Sequence, residues 1–428
     1  MTGALGRLGG RQVELRLLVL ALGVFAVGEV TLAGVAHRPA AGVVPAIMVL
    51  GAVFLAAHLW LAVRGATGDE ILLPAAGMLT AISLALVARL HPSSFLPQFI
   101  WVILGFTLAA VIAGSRFELW WLSRYKYTFA AAGFILLVIT ALFGRKVNGA
   151  RLWIGVGPLQ FQSTEVMKLV LVIFVAGYLE EKRDLLTLGE HRWGFLRLPP
   201  LQYVGPLGVM WLASLLSLLW QRDLGGTLLL LGVALAMLYA GTGRTSYVVG
   251  GLALFLLNVV LTYHFFGYVR SRVDVWLNPW TYAQDQGYQI VQALYAVSSG
   301  GIFGAGLGQG LPGYIPEVYT DFVYAAIAEE LGLLGALAIL VLFLVIVFRG
   351  LRIAMRCPGP FEQLLALGLA CLLGLQCLVI VAGNLEVIPL TGITLPFVSY
   401  GGSSMVINFI ILGVLLRLSS LAGVVRTT

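Results

Sequence analysis

The chain has 428 residues, of which 60% are hydrophobic and only 11% charged, with a formal charge of +7. Soluble globular domains carry about 25% charged residues, so the composition excludes that class. In so apolar a chain an excess of Lys and Arg reads as anchoring of cytoplasmic loops, and no nucleic-acid partner is expected.

Twelve apolar runs follow one another: 15–36, 43–63, 71–90, 95–114, 127–143, 164–180, 204–220, 224–241, 245–269, 322–350, 362–384 and 396–418. Runs of about 18 or more apolar residues read as membrane spans. Spans of this length must be helical, because lipid offers backbone groups no partner. The expected fold is therefore an all-α polytopic membrane protein with about 12 transmembrane helices. The run at 127–143 is short, and the one at 322–350 is long enough to tilt or protrude. The first run is followed by no A-x-A-like site, so no cleavable signal peptide is expected. Cys357, Cys371 and Cys377 lack zinc or redox spacing, and the five histidines are not paired at metal-ligand spacing.

With both termini placed in the cytoplasm, 17 of the 26 Lys and Arg fall on the inner side and eight on the outer. That bias supports the orientation. Arg145, Lys146 and Arg151 break it, all three in outer loop 144–163, which reads as a local need for positive charge. The outer loop 270–321 is too long for an idle connection. Within it, Tyr288, Val291, Leu294 and Tyr295 recur at helical spacing, as in an amphipathic helix at the membrane surface. The following Gly300, Gly301, Gly304, Gly306, Gly308 and Gly310 lack the Lys-Ser/Thr ending of a P-loop, so a flexible or closely packed loop is expected instead.

Ionisable residues within spans are costly and are functional candidates. Glu165 and Lys168 stand three apart on one helix face and can neutralise each other, as a packing pair or as part of the chemistry. Asp223 lies between two spans in Gln221-Arg222-Asp223-Leu224-Gly225-Gly226-Thr227. It suits a helix N-cap, and equally a partly desolvated general base. Asp321 heads the long run, with Glu329 and Glu330 about 12–14 Å further along the helix. These acids are expected to line a wet cavity or pair with a cation, Lys168 and Arg151 being the candidates. The last span opens Leu395-Pro396-Phe397-Val398-Ser399-Tyr400-Gly401-Gly402-Ser403-Ser404, which suits tight helix contacts or a polar groove.

At these residues the chain resembles the SEDS family (shape, elongation, division and sporulation), typified by RodA, FtsW and SpoVE. The likeness covers roughly 71–420. Asn148 to Ile154 looks like the family's N-G-A-R-R-W-I, and Phe161 to Leu169 is similar to F-Q-P-S-E-F-A-K-L. Gln221 to Thr227 resembles Q-P-D-L-G-T, Thr320-Asp321-Phe322 with Glu329-Glu330-Leu331-Gly332 resembles T-D-F…E-E-L-G, and Leu395 to Ser404 resembles L-P-F-x-S-Y-G-G-S-S. Leu152, Ser163 and Arg222 depart from the pattern. The resemblance implies a ten-helix core at 67–428, preceded by an additional two-span segment at 1–66.

It further implies a peptidoglycan glycosyltransferase of the bacterial plasma (inner) membrane, serving elongation, division or sporulation. The substrate would be lipid II, a disaccharide peptide on undecaprenyl pyrophosphate. The partners would be membrane lipid and a class B penicillin-binding protein as transpeptidase. Asp223 would be the catalytic base. Arg145, Lys146 and Arg151 would meet the pyrophosphate, with Trp153, Gln221 and Ser403 also on the substrate. The leaving group needs charge stabilisation by basic residues or by a divalent cation, Mg or Mn. Other classes that fit the residues are a lipid II flippase or transporter and a non-catalytic scaffold of cell-wall synthesis.

Overall fold

The computed structural model describes residues 11–35, 42–116, 118–147, 150–156, 159–188, 191–193, 196–198, 205, 208 and 223–424. Among them, α1 (Gln12–Val35), α2 (Val43–Val63), α3 (Leu72–Leu90), α4 (Phe95–Gly114) and α6 (Lys126–Phe143) form the first half, with the short α5 (Trp120–Arg124) before α6. Then come α7 (Ser163–Leu188), α8 (Leu224–Thr242), α9 (Thr245–Phe265), α10 (Gly267–Leu277), α11 (Tyr288–Ser299), α12 (Val323–Ala354), α13 (Pro360–Asn384) and α14 (Gly402–Val424).

Ten of these helices are long and apolar enough to cross a membrane: α1, α2, α3, α4, α6, α8, α9, α12, α13 and α14. The run at 164–180 forms α7, whose polar ends carry the charged residues. The run at 204–220 lies outside the described residues. The segment expected near 288–295 is helical, α11, but its buried face is Ile290, Val291, Ala293 and Ala296; of the expected stripe only Val291 is buried, Tyr288 and Leu294 are half-buried and Tyr295 is exposed.

The expected outer loop 144–163 is not irregular. Arg145–Val147 (β1), Ala150–Val156 (β2) and Leu159–Gln162 (β3) form an antiparallel sheet in the order β1-β2-β3. Trp153 stands opposite Arg145 on one side and Gln162 on the other.

Helix packing follows the small residues. α4 and α14 pack along each other. A Cβ on Gly105 would meet the Phe409 ring at 2.3 Å, and one on Gly413 would lie 2.9 Å from Ala109 Cα. Such glycines let membrane helices approach where no hydrophobic drive distinguishes helix from lipid. α1 and α2 dock on α3 and α4. At their inner corner Arg11 pairs with Glu14, His58 Nδ1 lies 2.8 Å from Glu14 Oε1, and Arg11 donates to Ala66 O at 2.8 Å. By contrast, α9 buries only Tyr247 and Thr262.

The long run at 322–350 is one helix with a break. Gly332 has φ 68° and ψ −169°, which frees backbone groups in mid-helix. The glycine-rich segment 300–311 takes them up. Ala305 N–H and Gly306 N–H donate to Glu329 O and Glu330 O, and Leu333 N–H donates to Gly301 O at 2.9 Å. A Cβ on Gly300 would stand 1.9 Å from Ala328 O, so the glycines here serve close packing.

Candidate functional site

A cavity of about 850 Å³ opens at the end of the bundle where α8, α12 and α14 begin. Asp223 reaches it from the start of α8. As the N-cap of that helix it accepts a hydrogen bond from Gly226 N–H at 2.7 Å through Oδ1. The local sequence makes this possible. A Cβ on Gly226 would crowd the carboxylate at 2.4 Å, and one on Gly225 would lie 2.5 Å from Ile393 Cγ2 and 2.8 Å from Thr391 O. Two glycines therefore let the carboxylate fold over its own helix and let loop 391–394 press against it. Burial pushes the Asp223 carboxyl up, against the Gly226 hydrogen bond and the positive charge of Lys168, while Glu165 pushes the same way as burial.

Glu165 and Lys168 form a buried ion pair, 2.7 Å between Oε2 and Nζ. Lys168 Nζ also donates to Gln376 Oε1 at 3.0 Å, and Gln376 Nε2 donates to Thr394 O at 2.7 Å. The pair thus ties α7 through α13 to the loop lying over Gly225. It supports Asp223 by position and by charge.

Asp321 lines the same cavity, its carboxyl pushed up to about 6 by burial against the nearby Arg272 guanidinium. Glu329 and Glu330 do not line it. Arg89 Nε lies 3.3 Å from Glu330 Oε1, whereas Lys168, one of the expected cationic partners, pairs with Glu165, and the side chain of the other, Arg151, lies outside the description. Glu329 and Glu330 carboxylates also accept from Leu311 N–H and Gly308 N–H, at 2.7 and 3.1 Å. Their position, two turns into α12 beside the glycine-rich segment, makes them the clamp for that segment.

Of the basic group Arg145, Lys146 and Arg151, only Arg145 has a described side chain. Arg145 is exposed on β1 and does not line the cavity. Lys146 and Arg151 pair with each other through their backbones, and their side chains lie outside the description. Trp153 does line the cavity, beside its cross-strand neighbour Gln162. Gln221 lies outside the described residues. Ser403 Oγ accepts from Gln162 N–H at 3.1 Å, fastening α14 to β3, whereas Gly402 and Ser404 face the cavity.

The described guanidinium in the cavity is Arg272 of α10, which donates to Leu390 O at 2.9 Å. Sequence reasoning passed over it, although it belongs to the same outer-side excess of charge. Gln162, Tyr268, Gln289 and the Thr391-Gly392 turn were also passed over. No spacing rule marks them, because the sheet and loops that gather them are far apart in sequence. Among the described residues no three His, Cys, Asp or Glu side chains are grouped to hold a metal ion.

The arrangement offers a buried carboxylate held at a helix N-terminus, a guanidinium, a second acid and two Trp faces, Trp101 and Trp153, around one space. It suits deprotonation of a hydroxyl beside an anionic leaving group.

The family model for FtsW, RodA and SpoVE, described as cell cycle protein, matches residues 70–422. Over 381 residues the chain is 38% identical to "Peptidoglycan glycosyltransferase RodA" of Mycobacterium tuberculosis, covering 86% of this chain and 81% of the relative. It is 38% identical over 296 residues to "Stage V sporulation protein E" of Bacillus subtilis, covering 67% of this chain and 76% of the relative. A solved structure titled "Structural coordination of polymerization and crosslinking by a peptidoglycan synthase complex" matches 82% of this chain and 98% of its own, at 28% identity and TM-score 0.70. The rod shape determining protein RodA of Thermus thermophilus matches 82% and 97%, at 27% identity and TM-score 0.60.

Proposed function

This chain belongs to the FtsW/RodA/SpoVE family and is a multi-pass inner-membrane peptidoglycan glycosyltransferase, and from that premise we propose how its own residues carry the reaction. The substrate is lipid II. Its lipid tail stays among the helices while its sugars and pyrophosphate enter the Asp223 cavity. Asp223 takes the proton from the acceptor sugar hydroxyl. That oxygen forms the new bond to the anomeric carbon of the donor, whose bond to pyrophosphate breaks. The departing phosphate oxygens carry the electron pair away beside Arg272. Preorganised positive charge of this kind costs no reorganisation when the bond breaks.

The observation that carries this reading is the placement of Asp223, a buried carboxylate in the same cavity as Arg272. One carboxylate oxygen, Oδ1, is committed to Gly226, which leaves Oδ2 for the hydroxyl. Glu165 and Lys168 are positioning residues, and Asp321 completes the polar lining. Trp153 and Trp101 offer flat faces to sugar rings.

The transpeptidase partner is a class B penicillin-binding protein. The likeness to a structure that couples polymerisation with crosslinking supports this. We read residues 1–66 as a two-span segment added to a core at 67–428, consistent with the family match beginning at residue 70. We read both termini as cytoplasmic from the charge bias of the loops, an orientation in which the Asp223 cavity opens on the outer face.

The test is polymerisation of lipid II by the purified full chain, alone and with its transpeptidase. Asp223→Asn should lower the rate roughly hundredfold or more while preserving folding. Full-rate polymerisation by that variant would remove Asp223 as the base.

A further inference from the structure

At the opposite end of the bundle a second cavity, of about 380 Å³, opens between the start of α1, the turn before α3 and the ends of α12 and α14. Past its break at Gly332, α12 continues for 22 residues to Ala354, roughly 33 Å at about 1.5 Å each. That spans the ~30 Å hydrocarbon core of a bilayer, so this cavity, at the end of the run, and the Asp223 cavity, beyond its start, face opposite membrane surfaces. The glycosyl transfer makes no use of it.

Three guanidinium groups line it, Arg349 and Arg352 from the last turns of α12 and Arg356 from just past its end. Two carboxylates line it as well, Asp69 and Glu70. Arg349 pairs with Asp69, and Asp69 Oδ1 accepts from Ile71 N–H and Leu72 N–H at 2.8 and 3.1 Å. That pair is a built wall. Arg352 stands over the Phe348 ring at 4.7 Å. Neither Arg352 nor Arg356 has a carboxylate partner among the described residues. Glu70 Oε2 is buried and has no donor among the described residues. Two guanidinium groups and one carboxylate thus remain unmatched around one space.

We propose that this cavity binds the headgroup of a phospholipid of the leaflet opposite the active site, one that joins a phosphodiester to a primary ammonium, as phosphatidylethanolamine does. Arg352 and Arg356 hold the phosphate oxygens, as guanidinium groups do in bidentate phosphate contacts. Glu70 accepts from the ammonium. Basic pockets between membrane helices take lipid headgroups at this depth, and the opposed charges match sign for sign. A phosphate alone leaves Glu70 without a donor, and a choline headgroup brings no N–H to it. Val13 of α1 also lines the cavity, so the lipid bridges the N-terminal segment and the ends of α12 and α14.

The alternative is that the arginines are solvated cations placed favourably at a helix C-terminus. It predicts no preference among headgroups. The full chain, stripped of lipid in a neutral detergent, is titrated with phosphatidylethanolamine, phosphatidylcholine and phosphatidylglycerol of matched chains, and with inorganic phosphate. Thermal unfolding and native mass spectrometry report binding. Phosphatidylethanolamine should raise Tm more than the other three. Arg352→Gln with Arg356→Gln should weaken its retention roughly tenfold, the loss of a charge-assisted contact. Glu70→Ala should erase only the preference for ethanolamine over choline. Equal shifts for ethanolamine and choline lipids, a larger shift with phosphatidylglycerol, or reproduction of the effect by phosphate alone would each overturn the proposal. The lipid comparison on the unmutated chain decides even where a variant fails to fold.

Discussion

Asp223 was legible as a residue because an acid between two apolar runs has few bland explanations, and its N-cap geometry follows from the two glycines after it. Its neighbours were less legible. Arg272 and Gln162 reach the cavity from a surface helix and a strand, and only three-dimensional packing brings them to Asp223. Two expectations belong at this scale. As the proposed base, Asp223 must be ionised to take a proton, so activity should fall as pH drops through its raised pKa. Lys168 lowers that pKa, so Lys168→Met should move the acid limb of the rate profile to higher pH, besides reducing thermal stability. An unmoved limb in initial-rate measurements would separate Lys168 from the site. Asp321 binds its proton more tightly folded than unfolded, because burial raises its carboxyl from 3.8 to about 6. Its stabilising contribution is present below 3.8 and is lost as pH rises through about 6. The Tm of the unmutated protein relative to Asp321→Asn should therefore decline across that window and then level off.

At the scale of elements, hydrophobic runs located the membrane helices but not the interruptions that shape them. The run at 322–350 reads as continuous, and the break at Gly332 depends on a partner segment supplied from 300–311. Likewise the strands β1 to β3 are short and carry no long alternation. Their one local signal is the dipeptide Asn148-Gly149, of a kind favoured in tight hairpins. The two glycines of the glycine-rich segment that most invite comparison are Gly304 and Gly301. Gly304 has φ 81°, and a Cβ there would lie 2.2 Å from Glu330 O. Gly304→Ala should cost about 2 kcal/mol or more, through strain and a clash that backbone must absorb. Gly301 has φ 53° but open space around it, so Gly301→Ala should cost only about 1 kcal/mol. Denaturation of the two variants side by side measures the difference. Equal losses would mean that the segment is not interlocked with the broken helix.

For the whole molecule, charge bias along the sequence indicated an orientation, and packing shows how the first two helices join the rest. The junction rests on a buried carboxylate, Glu14, between Arg11 and His58. Removing one partner of a buried pair leaves the other uncompensated, so Glu14→Ala should destabilise the protein by about 3 kcal/mol. Since this corner lies at the far end of the bundle from Asp223, lipid II polymerisation below the melting range should survive. Loss of activity at unchanged Tm would instead tie the segment to the chemistry. The position of the Asp223 cavity, at the first turn of a membrane helix, has a kinetic consequence. A substrate that enters there never leaves the leaflet, so encounters are governed by molecules per unit area. Diluting the substrate with inert lipid, at constant amounts of enzyme and substrate per volume, should slow polymerisation in proportion to the falling surface density.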